Sequence, residues 1–237
     1  MKKAEKTLGI LGGMGPLASA HFLGLILSHT LARRDGDFID IVMTGRSSTP
    51  DRTAHILGMT AENPLDTMKK DIDILIYGGA DIIAVPCNTA MAYYEMLSSY
   101  SKAPVMNIVA LTARRAAEIG ARTVMVFATY GTKASGIYPK ECEKYGVRCL
   151  FPDDTAQSAI NGIIYQKIKA GACVVNEIYP LFDLFLSVSD AVILGCTELS
   201  LINIEKYDKK KYIIDSSLVL AEHAIAACGG TPVGFEW

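Results

Sequence analysis

The chain has 237 residues, 50% of them hydrophobic, with 23 basic and 25 acidic side chains for a net charge of −2. That length and apolar content suit one large α/β unit or two small domains with sizeable cores, and they exclude a disordered chain. The near-balanced charge gives no electrostatic footprint for nucleic acid or an anionic membrane surface. No run reaches the roughly 18 to 20 apolar residues of a membrane span, and Met1 to Lys6 lead into no signal-like apolar segment, so a cytoplasmic protein is expected.

In chain order, short apolar runs alternate with longer amphipathic segments, the pattern of βα units and a mainly parallel sheet. Strands are expected at Leu8 to Leu11, Ile39 to Met43, Ile82 to Val85, Val105 to Val109, Thr123 to Phe127, Val147 to Leu150, Ala191 to Leu194 and Tyr212 to Ile214. Helices are expected at Pro16 to Leu31, where proline suits the first turn, and at Asn63 to Gly78, Met91 to Ser99 and Leu111 to Gly120. Further ones are expected at Tyr138 to Tyr145, Gln157 to Ala170, Asn176 to Ser187 and Leu218 to Cys228.

The second half repeats the first. Asp81-Ile-Ile-Ala-Val-Pro-Cys87 aligns with Asp190-Ala-Val-Ile-Leu-Gly-Cys196, 109 positions later (196 less 87). Glycine-bearing turns follow the first strand of each half, Gly12-Gly13-Met14-Gly15 and Ala128-Thr129-Tyr130-Gly131-Thr132. Two pseudo-symmetric α/β domains are therefore expected, one from residues 1–110 plus 212–237 and one from 111–211. Because parallel α/β sheets bind ligands outside the carboxyl ends of their strands, the post-strand residues of both would line a shared cleft.

Two chemistries compete for that cleft. Gly13-Met14-Gly15-Pro16-Leu17-Ala18 fits the glycine pattern of dinucleotide sites, but the second strand ends in Thr44-Gly45-Arg46 rather than in the acidic residue such sites use for the ribose. A tight turn and helix N-terminus that meet a small carboxylate explain the same glycines. The six cysteines, at 87, 142, 149, 173, 196 and 228, form no C-x-x-C pair and no cluster at zinc spacing, so they read as reduced thiols. Cys142, Cys149, Cys173 and Cys228 fit simple burial. Cys87 and Cys196 stand at strand ends before Asn88-Thr89 and Thr197-Glu198, where a helix N-terminus would lower a thiol's pKa. His21, His29 and His223 lack chelating spacing, and His55, three residues beyond Arg52, is not expected to be catalytic.

Five ordered blocks carry a resemblance: Gly12-Gly13-Met14-Gly15-Pro16, Pro50-Asp51-Arg52-Thr53, Pro86-Cys87-Asn88-Thr89-Ala90, Ala128-Thr129-Tyr130-Gly131-Thr132 and Gly195-Cys196-Thr197-Glu198. From about Thr7 to Ala227 the chain resembles the aspartate/glutamate racemase family, and Glu198, where glutamate racemases usually carry histidine, favours the aspartate branch. The resemblance implies two α/β domains around a cleft, usually in a homodimer, with no pyridoxal phosphate, metal or nucleotide. It also implies a two-base proton transfer in which Cys87 and Cys196 act on opposite faces of the α-carbon. Inversion needs an acid and a base on opposite sides of one carbon, which agrees. The substrate is then an amino acid, aspartate or possibly glutamate. Asn88, Thr89, Thr129 and Thr197 are implied around its α-carboxylate and amino group, with Thr132, Glu198 and Met14 nearby. Arg52 and Lys169 are implied at the side-chain carboxylate, to which a guanidinium presents a matching fork. A maleate isomerase or related superfamily enzyme, a non-catalytic amino-acid binding protein and a thiol-redox protein are the competing readings.

Overall fold

The computed structural model describes residues 5–171, 176–204 and 207–235, so the expectation for Cys173 lies outside the described residues. The fold is α/β, with two parallel sheets flanked by helices. β1 (Leu8–Gly12), β2 (Ile41–Gly45) and β3 (Ile82–Ala84) form the first sheet in the order β2-β1-β3. β4 (Thr123–Phe127), β5 (Arg148–Leu150), β6 (Ala191–Leu194) and β7 (Ile213–Asp215) form the second in the order β5-β4-β6-β7. A parallel bridge between Ile83 and Val105 occupies the position in the first sheet that β7 fills in the second, so both halves share one strand order.

The repeated aspartates explain part of this likeness. Asp81 Oδ2 accepts from the Thr7 amide at 2.8 Å, and Asp190 Oδ2 accepts from the Arg122 and Thr123 amides, each at 2.8 Å. Each carboxylate thereby ties the start of its strand to the start of the central strand beside it.

The helices are α1 (Pro16–Ser28), α2 (Arg52–Ile56), α3 (Pro64–Tyr77), α4 (Tyr94–Tyr100), α5 (Ile108–Glu118), α6 (Tyr130–Ser135), α7 (Ile137–Glu143), α8 (Asp154–Gly162), α9 (Tyr179–Leu186) and α10 (Ser216–Ala227). Side chains alternate across β4 and β6, as strand geometry requires. Val124, Val126, Ala191 and Ile193 join a core continuous with that of the first half. Met125, Phe127, Val192 and Leu194 turn to a separate cluster with Ile164 and Phe182.

Three expectations are corrected. The run Val105 to Val109 contributes only the bridge at Val105, because Asn107 Oδ1 accepts from the Val109 and Ala110 amides, both at 3.1 Å, and starts α5. A good N-cap outweighs the strand preference of this short β-branched run. Asn107→Ala is expected to lower stability by about 1 kcal/mol, seen as a fall of about 2–4 °C in melting temperature for a chain of this size. Secondly, β7, expected with the first domain, pairs with β6 in the second sheet, while α10 after it packs on α1 and α5. α5 makes the reciprocal crossing and packs on α7 and β7. Thirdly, the helix expected at Gln157 to Ala170 is α8 followed by a π-helical turn at Ile163–Ile168.

Candidate active site

The loops after the strands converge on a small, narrow cavity between the halves. The first half contributes Met14, Asp51, Arg52, Thr53, Cys87, Asn88 and Thr89, and the second contributes Thr129, Tyr165, Lys169, Cys196, Thr197 and Glu198. Of the residues expected at the site, Thr132 alone stands behind the lining, hydrogen-bonded to Thr89 and Thr129 at 2.9 and 3.2 Å. His55 is outside it, with its Nδ1 2.6 Å from the Tyr93 hydroxyl.

Both cysteines are free and buried. Each precedes a short 3₁₀ helix, Thr89–Tyr93 for Cys87 and Leu199–Leu201 for Cys196. Thr197 Oγ1 donates to the Pro86 carbonyl at 3.2 Å, which clips the two cysteine loops together. Asn88 is likewise engaged by the protein. Its Nδ2 donates to Ser216 Oγ at 2.9 Å, and its Oδ1 accepts from Tyr138 at 2.7 Å. Ser216 Oγ in turn donates to the carbonyl of Leu194, two residues before Cys196. The side chains of Asn88 and Thr197, expected as ligand donors, line the cavity and also fix the two loops.

The two thiols differ in surroundings. Cys196 Sγ donates to Glu198 Oε2 at 2.9 Å. Burial, and then the charge of Glu198, raise the Cys196 pKa well above the ordinary thiol value, and Lys169 opposes them only in part. The lowering expected of a helix N-terminus is thus overturned here, because desolvation disfavours the thiolate more than a three-residue helix end favours it. Arg52 stands on the other side. Burial opposes its charge, but the Cys87 sulfur and the Asp51 carboxylate outweigh that and raise its pKa. Its Nη1 donates to the Thr49 and Pro50 carbonyls at 3.2 and 2.9 Å, and its buried Nε has no hydrogen-bond partner.

Four hydroxyls form a buried cluster. Thr129 Oγ1 lies 3.2 Å from that of Thr53 and 3.0 Å from that of Thr89, and Thr132 completes the group. Across the mouth, Tyr165 donates to Asp51 Oδ2 at 3.1 Å, and Lys169 Nζ sits 3.9 Å from the centre of the Tyr165 ring. Lys169 reaches Asp51 at 4.0 Å and Glu198 Oε1 at 3.8 Å. Glu198 also lies against the start of α1, since a Cβ on Gly15 would fall 2.9 Å from its Oε1. A negative charge suits a helix N-terminus, and Glu198 places one beside this glycine turn.

Sequence reasoning did not assign Asp51, Thr53 and Tyr165 to the site. Asp51 caps α2 through the Ala54 amide at 2.8 Å, and proline-aspartate signals only a loop or helix start. Tyr165 shares a wall with Lys169, four residues on, as helical spacing places such a pair, so its distance from Lys169 was the signal that could have found it.

Two α/β halves that close on a small, charged, hydroxyl-rich cavity define an enzyme for a small carboxylate-bearing substrate. A family profile described as Asp/Glu/Hydantoin racemase matches residues 11–224, and the chain belongs to that family. It is 28% identical over 231 residues to the broad specificity amino-acid racemase RacX of Bacillus subtilis, covering 92% of this chain and 96% of that one. Against the glutamate racemase of Aquifex pyrophilus it is 30% identical over 193 residues, 72% of this chain and 69% of that one. Among solved structures, Picrophilus torridus aspartate racemase superposes with a TM-score of 0.83 at 28% identity, covering 96% of each chain. The chain is an amino-acid racemase. Among the described residues, no helix is long and apolar enough to cross a membrane.

Proposed function

We propose that this enzyme interconverts L- and D-aspartate, with glutamate as a second substrate, by two-base proton transfer between Cys87 and Cys196. The observation that carries the reading is that these two sulfurs, set on equivalent loops of the two halves, line one cavity with Arg52 and Lys169. Cys196, whose Sγ donates to Glu198, acts as the acid, and Cys87, beside Arg52, acts as the base. Cys87 takes the α-proton from one face, the electron pair stays on the α-carbon, and Cys196 delivers its proton to the opposite face. Glu198, which accepts the Cys196 Sγ hydrogen bond, keeps that sulfur protonated until the proton is delivered.

The hydroxyl cluster of Thr53, Thr89, Thr129 and Thr132 supports binding of the α-carboxylate, and Arg52 and Lys169 that of the side-chain carboxylate. Fixed donors of this kind stabilise developing charge because they need no reorganisation during the reaction. The choice between aspartate and glutamate turns on one methylene, about 1–3 kcal/mol. An assay of purified enzyme on both enantiomers of aspartate and glutamate and on maleate, without added cofactor, tests the reading. Turnover of maleate with none of the amino acids would overturn it.

Glu198 gives a pH test. Its charge raises the Cys196 pKa, so Cys196 remains an acid to higher pH than an ordinary thiol does. In Glu198→Gln the alkaline fall of kcat/KM, in the direction that uses Cys196 as the acid, is expected to move to lower pH. An unmoved alkaline limb would remove Glu198 from this role.

We further infer a cytoplasmic homodimer, a reading supported by the resemblance to racemases and by the free state of the five described cysteines. Sedimentation equilibrium tests the assembly, and a monomer would refute it.

A further inference from the structure

One fully buried charge takes no part in this chemistry. Asp71, on the inward face of α3, is 0% exposed. Its Oδ1 accepts from Arg46 Nε at 2.9 Å and Nη2 at 2.8 Å, while its Oδ2 has no hydrogen-bond partner. Burying a carboxylate is costly unless it is paired, and an apolar side chain would fill the same space at lower cost, so the pair needs a reason other than stability.

Arg46 supplies that reason through its backbone. Its carbonyl accepts from Thr49 Oγ1 at 2.8 Å and from the Thr49 amide at 3.3 Å. The Thr49 carbonyl is in turn one of the two acceptors that hold Arg52 Nη1. On its other side the Arg46 backbone abuts Gly13, where φ is +90° and an added Cβ would fall 2.5 Å from Arg46 atoms. The loop from Arg46 to Arg52 is thus wedged between the glycine turn and α3, pinned at one end by Asp71.

We propose that Asp71 is a positioning residue for Arg52, acting through Arg46 and Thr49 to aim the guanidinium at the substrate carboxylate. The proposal rests on the proposed role of Arg52 in substrate binding. Without the Asp71 charge the Arg46 side chain, already 39% exposed, is free to leave for solvent, and the Thr49 carbonyl loses its fixed position. Small misplacement of a binding group costs one to two orders of magnitude in an oriented reaction.

The test compares Asp71→Asn, Arg46→Gln and Thr49→Val with the wild type in kcat and KM for aspartate and in melting temperature. Thr49→Val removes the hydroxyl bond between Thr49 and the Arg46 carbonyl without unpairing a buried charge, so it tests the relay even where Asp71→Asn fails to fold. Each folded variant is expected to raise KM about tenfold and to change kcat less than about threefold. The pair Asp71→Asn with Arg46→Gln should be no worse than either alone, because both cut one relay. Lower melting temperatures with an unchanged KM, or independent effects that multiply in the double variant, would overturn the relay. A wild type without aspartate turnover overturns the substrate assignment instead, and the same KM comparison is then made on the amino acid that is racemised.

Discussion

Cys196→Ser is expected to lower net racemisation of aspartate by at least about 10³-fold, while deuterium from D2O still enters one enantiomer. A positioned acid or base contributes roughly 10² to 10⁴ to a rate, and a serine hydroxyl is a far weaker acid than a thiol. With Cys87 retained as the base, the enantiomer whose α-hydrogen points at Cys87 is deprotonated and re-protonated from the same side, so exchange proceeds without inversion. Cys87→Ser is expected to remove both processes for that enantiomer. NMR of the α-proton together with chiral chromatography of the same samples reads both outcomes. Equal loss of exchange and inversion in Cys196→Ser would contradict the assignment of Cys87 as the base, and racemisation within a few-fold of wild type in either variant would end the two-base reading.

This asymmetry between two related sulfurs is only half visible in the sequence. The Asp81–Cys87 and Asp190–Cys196 steps made the pair legible in the sequence, because each aspartate ties its strand to the central one and each cysteine stands just past the strand's end. Both cysteines precede a short helical segment, so position alone implied similar thiols. The difference arises partly within the motif, since Glu198 follows Cys196 where Thr89 follows Cys87, and partly from groups the fold brings in, since Lys169 reaches Glu198 and Arg52 meets Cys87. The pairing of β7 with β6 was not legible, since a three-residue apolar strand does not say which sheet it joins. Asn88 lines the cavity, and Tyr138 and Ser216, 50 and 128 residues away, fix its orientation in a way that no local motif announces.

Arg52→Lys is expected to lower kcat/KM for aspartate by about 10²- to 10³-fold, although it preserves the charge. Arg52 is 7% exposed, two of its donor contacts go to backbone carbonyls, and its Nε remains buried without a partner. An unpaired buried donor costs about 1–3 kcal/mol, which a carboxylate oxygen arriving in the cavity would relieve. Lysine offers a point charge on a flexible stem and cannot hold the Thr49 and Pro50 carbonyls and a substrate at once. Losing one partner of a buried, hydrogen-bonded charge pair costs about 2–5 kcal/mol, and each 1.4 kcal/mol is about tenfold. The loss should fall mainly on dicarboxylic substrates, so activity on alanine, where measurable, should drop less than activity on aspartate. Arg52→Ala with aspartate turnover within threefold of wild type would instead give the side-chain carboxylate to Lys169 alone, whose Nζ already lies between Asp51 and Glu198.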